Sequence, residues 1–494
     1  MSLPSHPILS CEAAGRLEAK RFGGDEAREW PAMQQAGRAV AVALLEDFRE
    51  IGGFAPSGRV LVLVGKGHNG GDALLAAADL AGRFPHASFH VRFAFGERAL
   101  RPLALRAYRE LAQAAGPRLA VLPPGHVLSG SYELCLDGVF GFQFRPPVGP
   151  EVAVLLDRAN ELPVRLRAAV DLPSAGLFRA DFTYATGSVK EPLFTGDRAG
   201  RLRYLDLGFF SGTEKGRDRV IAPGLLAPLA GLRPAEVDKR RLGHVLVLGG
   251  SRSYPGAVLM TVLAALRGGA GLVTAFVPES LAPAFAARAP EAMWVGWPET
   301  PDGGLALEGR ALLQARLGRA QALVIGPGLG REAETFALVA DVLGSVRLPT
   351  LLDADALQPE LIKAAKGPLV LTPHAGEFAR ICDGYELREY ARRRKATVVL
   401  KGPVTRISDG EAVYHSFHGG PVLARGGSGD LLAGLIGGLL AQTPDDPLLA
   451  AARGAVWHGS AADLLARNLG QTAVQTTQLL DFLAAALRES RHDP

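Results

Sequence analysis

The chain has 494 residues, a length that allows two to four domains at roughly 150 residues each. With 54 Lys and Arg against 50 Asp and Glu, the formal net charge is only +4, too little for a nucleic-acid surface unless the charges cluster. Three scattered cysteines exclude a disulfide framework and a cysteine zinc site, and no apolar stretch reaches the ~18–20 residues that span a bilayer. We therefore expect a soluble cytoplasmic protein with neither a nucleic-acid nor a membrane partner.

Continuous apolar runs alternate with longer helical patterns in the first part of the chain. The runs predict strands at residues 59–64, 88–95, 119–122, 133–136, 166–170 and 201–207. Helices are predicted between them at residues 72–84, 98–115 and 151–161. Runs that are apolar throughout are typical of strands buried on both faces, so we expect a parallel sheet with flanking helices.

Charged residues and prolines interrupt this alternation at residues 211–241, which indicates a domain connection with a short helix around 223–229. The alternation then restarts, with strands predicted at residues 244–248, 272–277, 322–325, 350–352, 369–371 and 397–400. Further helices are predicted at residues 255–266, 430–441, 447–469 and 477–488. The sequence thus predicts an α/β protein with two three-layer α/β/α domains, at residues 1–212 and 225–494.

Glycine is the one compositional excess, with 60 of 494 residues against a usual ~7%. The first concentration, GKGHNGGD at residues 65–72, follows a predicted strand and opens a helix. Glycine there lets backbone N–H groups approach an anion at the helix N-terminus. The spacing matches neither a P-loop nor a dinucleotide fingerprint, and a tight turn alone would account for the glycines. Asn69 and Asp72 beside them favour a ligand site.

Polar side chains follow two more predicted strands of the first domain. Asp137 ends one strand, while Asp171 ends another and is followed by Ser174. The carboxyl ends of parallel strands share the edge at which open α/β sheets bind ligands. A single Asp could merely cap a helix or turn, but three polar strand ends at one edge favour a ligand crevice.

The second domain carries the sequence GGSGD at residues 426–430, directly before an apolar helix. Its glycine amides can hold a transferring phosphoryl group, while Asp430 takes a proton from the attacking hydroxyl. Upstream, Lys401 and Thr405 follow a strand and suit nucleotide phosphates. His374, in another polar strand end, is a further candidate ligand contact.

In this order the motifs resemble those of the bifunctional NAD(P)H-hydrate repair enzymes, which fuse an epimerase domain to an ADP-dependent dehydratase. The resemblance covers nearly the whole chain. It rests on MQQAG at residues 33–37, GKGHNGGD at 65–72, GSVKEPLF at 187–194, HVLVLGG at 244–250, VIGPGLG at 324–330, LLDADAL at 351–357, LTPHAGEFAR at 371–380, VVLKGPVT at 398–405 and GGSGDLLAGLIGGLLAQ at 426–442. It implies a Rossmann-like epimerase domain followed by a ribokinase-like dehydratase domain.

For the first domain, the resemblance implies interconversion of the R and S hydrates of NADH and NADPH, with a K⁺ ion near the site. The positions that match the K⁺ ligands are Asn69, Asp137 and Ser174, and oxygen donors of this kind suit a hard cation. The positions that match hydrate contacts are His68, Asn69, Gly70, Gly71, Asp72, Gly141, Phe142, Gln143, Phe144, Arg145, Pro146, Pro147 and Asp171. Asp171 is also our candidate for a catalytic residue.

For the second domain, the resemblance implies that ADP phosphorylates the ring hydroxyl of the S hydrate. Loss of phosphate then restores the reduced nicotinamide, with AMP and phosphate as by-products. The matching nucleotide positions are Lys401, Gly402, Pro403, Val404, Thr405 and Gly429, and the matching hydrate positions are Ala257, Gly328, His374 and Asp430. Asp430 is the candidate catalytic base, and Mg²⁺ is the expected companion of the diphosphate.

Three departures from the family pattern leave an alternative open. His68 stands where the family usually has Asn, the segment after Ser174 differs, and Ala375 stands where Pro is common. The alternative is a kinase of a small alcohol, such as a hydroxymethylpyrimidine or a sugar, with a non-catalytic binding domain at the N-terminus. Family members commonly assemble, so the resemblance also implies a homo-oligomer.

Overall fold

The structure, a computed structural model, describes residues 3–490 and divides into two compact units. The N-terminal unit comprises His6–Gly216 together with Ala466–Gly470. The C-terminal unit comprises residues 3–5, Arg217–Leu465 and residues 471–490. Each unit is built around one β-sheet with helices on its faces.

The elements up to residue 205 include every strand and helix predicted there. In chain order they are β1 (Ser5–Pro7), α1 (Cys11–Phe22), α2 (Glu26–Phe48), β2 (Arg59–Val64), α3 (His68–Arg83), β3 (Ser88–Phe93), α4 (Pro102–Ala115), β4 (Leu119–Val121), β5 (Tyr132–Gly138), α5 (Pro150–Glu161), β6 (Val164–Val170), β7 (Phe182–Thr186) and β8 (Arg201–Leu205). Among these elements, α1, α2 and β7 were not predicted from the sequence. The sheet of the N-terminal unit has the order β4-β3-β2-β5-β6-β7-β8, and every pairing is parallel. Because the strand order reverses at β2, a crevice forms at the carboxyl ends of β2 and β5.

The elements after residue 217 form the larger sheet and its helices. They are β9 (Asp218–Ile221), β10 (His244–Leu248), α6 (Pro255–Arg267), β11 (Leu272–Pro278), α7 (Ala282–Arg288), β12 (Met293–Trp297), α8 (Arg310–Leu317), β13 (Ala322–Ile325), α9 (Ala333–Ser345), β14 (Thr350–Leu352), α10 (Pro359–Ala364), β15 (Leu369–Leu371), α11 (Ala375–Ile381), α12 (Leu387–Arg394), β16 (Ala396–Leu400), β17 (Thr405–Ser408), β18 (Val413–Ser416), α13 (Ser428–Gln442), α14 (Pro447–Leu469) and α15 (Leu479–Glu489). The strand order is β1-β9-β18-β17-β16-β15-β14-β13-β10-β11-β12. It reverses at β10, so a second crevice lies at the carboxyl ends of β10 and β13.

Burial on both faces explains the continuous apolar strands. Along β2, Val60, Val62 and Val64 pack into a core formed with α2, α3 and α4, whereas Leu61 and Leu63 face a second core formed with α5. These strand residues are at most 1% exposed. None of the helices within residues 3–490 has the length and apolarity needed to cross a membrane.

The predicted α/β class with two three-layer domains is confirmed, and several details differ. Helix α3 begins at His68 rather than at residue 72, because the glycine-rich segment itself supplies the first helical turn. The parallel sheet expected for the first part of the chain is confirmed, and the larger sheet adds β17 and β18, an antiparallel hairpin that the sequence did not predict. The connection at 211–241 contains the strand β9, and its short helix is a 3₁₀ turn at Ala227–Ala230.

Candidate functional sites

The crevice of the N-terminal unit holds a cavity of about 420 Å³. It gathers most of the predicted hydrate contacts, namely His68, Asn69, Asp72, Gly141, Phe142, Gln143, Phe144, Arg145, Pro147 and Asp171. Gly70 and Gly71 lie instead within the buried first turns of α3. They act through packing, because a Cβ at Gly70 would overlap the Gly65 carbonyl and one at Gly71 would overlap the Met33 side chain.

Close backbone approach explains the glycines of the loop after β2. A Cβ at Gly65 would overlap the carbonyl oxygen of Val139, which follows the neighbouring strand β5. The Gly65 N–H donates to the Gly138 carbonyl at 3.1 Å, so the two strand ends stay joined past the sheet. The N-terminus of α3 therefore opens into the cavity, where its free N–H groups and dipole favour an anion.

Asp137 and Ser174 form a buried hub beside this cavity. The Ser174 hydroxyl donates to Asp137 Oδ1 at 2.6 Å, and the Ser174 N–H donates to Oδ2 at 2.8 Å. The Asn69 side-chain amide joins them by donating to the Phe140 carbonyl at 3.0 Å, and the Phe140 N–H donates to Ser174 Oγ at 2.8 Å. Asp137 is fully buried, and burial raises its pKa to about 6. The three predicted K⁺ positions thus lie within one hydrogen-bonded group.

Asp171 leaves β6 in the left-handed conformation, with φ of 65°. Its carboxylate forms an ion pair with Lys190 and accepts from the Phe142 N–H at 3.2 Å. The Lys190 ammonium also donates to the Thr186 carbonyl at 3.1 Å and is almost completely buried. The pair fixes a positive and a negative group on the cavity wall.

Lys190 and Glu18 are among the cavity residues that sequence reasoning missed. Lys190 lay inside the motif at 187–194 but was assigned no role. Glu18 lines the cavity from α1, a helix that the sequence did not predict. No local motif marks Glu18, because the fold brings it to the strand edge from a distant part of the chain.

The crevice of the C-terminal unit collects polar strand ends around Lys401. Its ammonium lies 3.0 Å from Asp353 Oδ1 and 3.9 Å from Glu377 Oε2. The Thr372 hydroxyl also donates to Asp353 Oδ1, at 2.7 Å. A Cβ at Gly429 would lie 3.2 Å from Lys401 Nζ, which brings the N-terminus of α13 to the same group. Burial lowers the pKa of Lys401, but Asp353 and Glu377 outweigh it, so the net direction is upward.

Asp430 lies in the first turn of α13 and is half-buried. Burial and the nearby Asp353 raise its pKa to about 6, although Lys401 opposes the shift. The Thr261 hydroxyl donates to both the Asp430 and the Ala257 carbonyl oxygens, at 3.1 Å each. The α6 and α13 ends therefore meet at this crevice.

The remaining predicted hydrate contacts lie at the same strand edge. A Cβ at Gly328 would lie 3.1 Å from the Ala257 Cβ, and its φ of 64° also favours glycine. His374 caps α11: its Nδ1 accepts from the N–H groups of Gly376 and Glu377 at 3.0 and 3.3 Å. The exposed His374 ring also places Nε2 3.5 Å from Glu377 Oε1. The Lys401 N–H donates to the adjacent Pro373 carbonyl at 2.8 Å.

The predicted nucleotide segment 401–405 connects β16 to β17. Gly402 and Pro403 are exposed, while Val404 and Thr405 are half-buried. The turn thus adjoins the Lys401 cluster and leaves backbone groups accessible. Within residues 3–490 no three or more His, Cys, Asp or Glu side chains are grouped as a metal site.

Comparison with known proteins gives matches over both units. A family model described as NAD(P)H-hydrate dehydratase matches residues 245–484, and one described as YjeF-related protein N-terminus matches residues 31–191. A bifunctional NAD(P)H-hydrate repair enzyme from Gloeobacter violaceus is 38% identical over 97% of this chain and 99% of its own length. An ADP-dependent (S)-NAD(P)H-hydrate dehydratase from Xanthomonas campestris is 37% identical over 47% of this chain and 84% of its own length. A solved ribokinase-like superfamily protein from Enterococcus faecalis is 28% identical, covers 55% of this chain and 95% of its own, and has a TM-score of 0.48.

Proposed function

The chain belongs to the family of bifunctional NAD(P)H-hydrate repair enzymes, and we propose that its two units divide the repair between them. The protein interconverts R and S NAD(P)H hydrates and dehydrates the S form at the expense of ADP. We assign epimerisation to residues 1–212 and dehydration to residues 225–494. The main support for this assignment is that each unit has its own reversal of strand order, with acidic groups at the adjacent strand ends. Similarity along 97% of the chain favours repair over the small-alcohol kinase alternative.

In the dehydratase site, Asp430 is the base. Its carboxylate takes the proton of the ring hydroxyl as that oxygen attacks the β-phosphorus of ADP, and AMP leaves. The C–O bond then breaks with departure of phosphate, and loss of a proton from the neighbouring ring carbon restores the double bond. Phosphorylation is needed because hydroxide is a poor leaving group. The position of Asp430 on the first turn of α13, beside Lys401, supports this role.

We assign the ligands of this unit to residues near the carboxyl ends of its strands. We assign the adenine nucleotide to residues 401–405 and Gly429, and the hydrate to Ala257, Gly328, His374 and Asp430. Lys401 supplies a cation for the phosphates, and free N–H groups at the start of α13 supply further donors. A Cβ at Gly429 would lie 3.2 Å from Lys401 Nζ, so a side chain there would crowd the ammonium that we assign to the phosphates.

The donor set of this crevice fits Mg²⁺. Besides burial, the charges of Asp353 and Asp355 raise the pKa of Asp430, and the charge of Lys401 lowers it. Mg²⁺ binds through one or two carboxylates together with phosphate oxygens, so Asp353 and Glu377 would hold it beside the diphosphate. When bound, it neutralises charge on the transferring phosphoryl group.

The hub of the N-terminal unit fits K⁺. The Asp137 carboxylate is fully buried, and the groups that contact it, from Ser174 and Val139, are uncharged. A buried carboxylate without a paired cation is costly, and a monovalent ion would offset that cost. Asn69, Asp137 and Ser174 would hold the ion through oxygen atoms, and it would orient the groups that border the cavity.

The hydrate of the epimerase reaction occupies the 420 Å³ cavity. The loops at residues 68–72 and 141–147 bind it, and Asp171 is the candidate catalytic carboxylate. The ion pair with Lys190 and the bond from the Phe142 N–H hold Asp171 in one orientation, which supports that role. A cytoplasmic location and a homo-oligomeric assembly stay predictions.

Product analysis tests the proposed function. Purified protein is given S hydrate with ADP and Mg²⁺, and reduced nicotinamide, AMP and phosphate are measured. We expect the three products in equal amounts. Transfer of phosphate to an added hydroxymethylpyrimidine or sugar, with no recovery of reduced nicotinamide, would instead support the kinase alternative.

A further inference from the structure

A second cavity of about 260 Å³ lies in the N-terminal unit beside the first. The two cavities share five lining residues, namely Glu18, His68, Asp72, Gln143 and Thr186. Phe22, Met33 and Phe209 also line the second cavity. Glu18 therefore stands on the wall where the two spaces meet.

The Glu18 carboxyl is available for chemistry. It comes from the middle of α1 and is half-buried. Within the part of the chain that the structure describes, it forms neither a hydrogen bond nor an ion pair. Asp72, which lines both cavities too, is buried, and its Oδ1 has no hydrogen-bond partner among the described residues. Two carboxyl groups thus face the shared space without partners from the protein.

Glu18 and Asp72 lie in a different electrostatic environment from Asp171. Burial raises the pKa of Glu18 to about 7; the nearby Lys190 opposes the shift, while Asp171 and Glu29 add to it. Burial, followed by the charges of Glu18 and Asp171, raises the pKa of Asp72 well above its ordinary value. Asp171, by contrast, is joined to the Lys190 ammonium. Carboxyl groups in one site whose environments favour different protonation states are typical of an acid and a base that work together.

We propose that Glu18 is the proton donor of the epimerase reaction and that Asp171 accepts the proton of the incoming water. This inference rests on the proposed epimerase function and adds a residue that the family resemblance did not assign. Asp72 in its neutral form donates a hydrogen bond to the ring substituents and orients the hydrate between the two.

The step balances in atoms and charge. Water adds to an enamine double bond at the carbon bound to nitrogen, so the ring hydroxyl of the hydrate lies next to the ring nitrogen. Glu18 gives its proton to that hydroxyl, the C–O bond breaks with both electrons on oxygen, and the nitrogen lone pair forms an iminium ion. Water then attacks the opposite face and gives its proton to Asp171. Proton exchange through solvent returns Glu18 to the acid and Asp171 to the carboxylate.

The variant Glu18→Gln tests the assignment, with Glu12→Gln as the matched control on the same helix. Glu12 is exposed, and among the described residues it pairs with Arg16 on the surface, so its replacement leaves the cavity intact. We expect R-to-S exchange, corrected for the uncatalysed rate, to fall about 100-fold in kcat for Glu18→Gln with little change in KM. Dehydration of S hydrate with ADP stays unchanged in both variants. Normal exchange by Glu18→Gln would overturn the proposal.

The pH profile separates proton transfer from a structural role. Glu18 must be protonated, so wild-type exchange falls as pH rises through about 7. The groups that face Glu18, namely Lys190, Asp171, Glu29, Asp72 and His68, remain in Glu18→Gln, and we expect the fall to disappear there. Partial activity of Glu18→Asp, with the fall retained, would support the proposal if Glu18→Gln proves unstable. A fall that persists in Glu18→Gln would overturn it.

Failure of this proposal can be told from failure of the epimerase function. If wild-type protein catalyses exchange and Glu18→Gln does so equally, Glu18 alone is misassigned. If the wild-type protein produces no exchange above background, both the proposed epimerase and the role of Glu18 are overturned.

Discussion

At the scale of single residues, Asp430 carries the dehydratase proposal. We expect Asp430→Asn to lower the dehydration rate by about 10²–10⁴-fold, because the amide cannot take the hydroxyl proton. Steady-state recovery of reduced nicotinamide from S hydrate measures the loss, and R-to-S exchange by the same variant serves as the control. A variant with normal dehydration would exclude Asp430 as the base.

The raised pKa of Asp430 gives a second residue-scale prediction. The base must be ionised, and its pKa is about 6, so dehydration rises as pH increases through that value. The rate is measured between pH 5 and 8 at saturating ADP, with the circular dichroism of the protein recorded at each pH as a check on folding. A dehydration rate that is constant across about pH 6 would contradict the assignment.

Asp137, which we propose as a K⁺ ligand, should link the stability of the N-terminal unit to pH and to K⁺. Its pKa in the folded protein, about 6, lies above the ordinary value, so its contribution to stability is fully present at low pH and is lost as pH rises through about 6. Under the proposal, K⁺ binds the ionised form of Asp137 and offsets that loss. We expect KCl, compared with tetramethylammonium chloride, to raise Tm at pH 8 much more than at pH 5. Asp137→Asn should remove the difference, and an equal effect of KCl on the variant would exclude this site.

Some candidate site residues could be placed from the sequence, and others could not. Asn69, Asp137, Asp171 and Ser174 could be placed at one edge because each follows a predicted strand, and parallel strands end together. Glu18 could not, because its meeting with that edge depends on how α1 packs. No pattern at residues 11–22 reports such packing.

At the scale of elements, the loop between β2 and α3 offers a matched glycine pair. We expect Gly65→Ala to destabilise the N-terminal unit by about 3 kcal/mol and to abolish exchange, because the new Cβ would overlap the Val139 carbonyl backbone. Gly67→Ala is the control, since the nearest atom to its Cβ is an Arg101 guanidinium nitrogen at 3.8 Å. Thermal unfolding and exchange rates check both. Equal stability of the two variants would contradict the close approach seen here.

The elements that the sequence predicted best are those with one dominant signal. Continuous apolar runs predicted the observed bounds of β2 and β10, and a long helical pattern of apolar residues predicted those of α14. The strands β17 and β18 were missed because they form a short hairpin with mixed polar faces at the end of the sheet. The start of α3 was placed late because glycine is a poor helix former, and only the packing against Gly65 and Met33 explains glycine within that helix.

At the scale of the whole molecule, the proposal gives each unit its own site, and the hydrate then passes from one site to the other through solution. Mixing the variants Asp430→Asn and Asp137→Ala should therefore restore full repair, because each supplies the activity that the other lacks. The mixture is compared with each variant alone at the same total protein concentration. A mixture that recovers no more than Asp137→Ala alone would contradict the independence of the two sites.

The measurement that most directly tests the bifunctional account is the extent of recovery from mixed epimers. An R and S mixture is given wild-type protein with ADP, K⁺ and Mg²⁺, and reduced-nicotinamide absorbance is followed to its end. The account predicts complete recovery, because the R form is converted to S as S is consumed. Recovery that stops at the S fraction and then proceeds only at the uncatalysed epimerisation rate would contradict it.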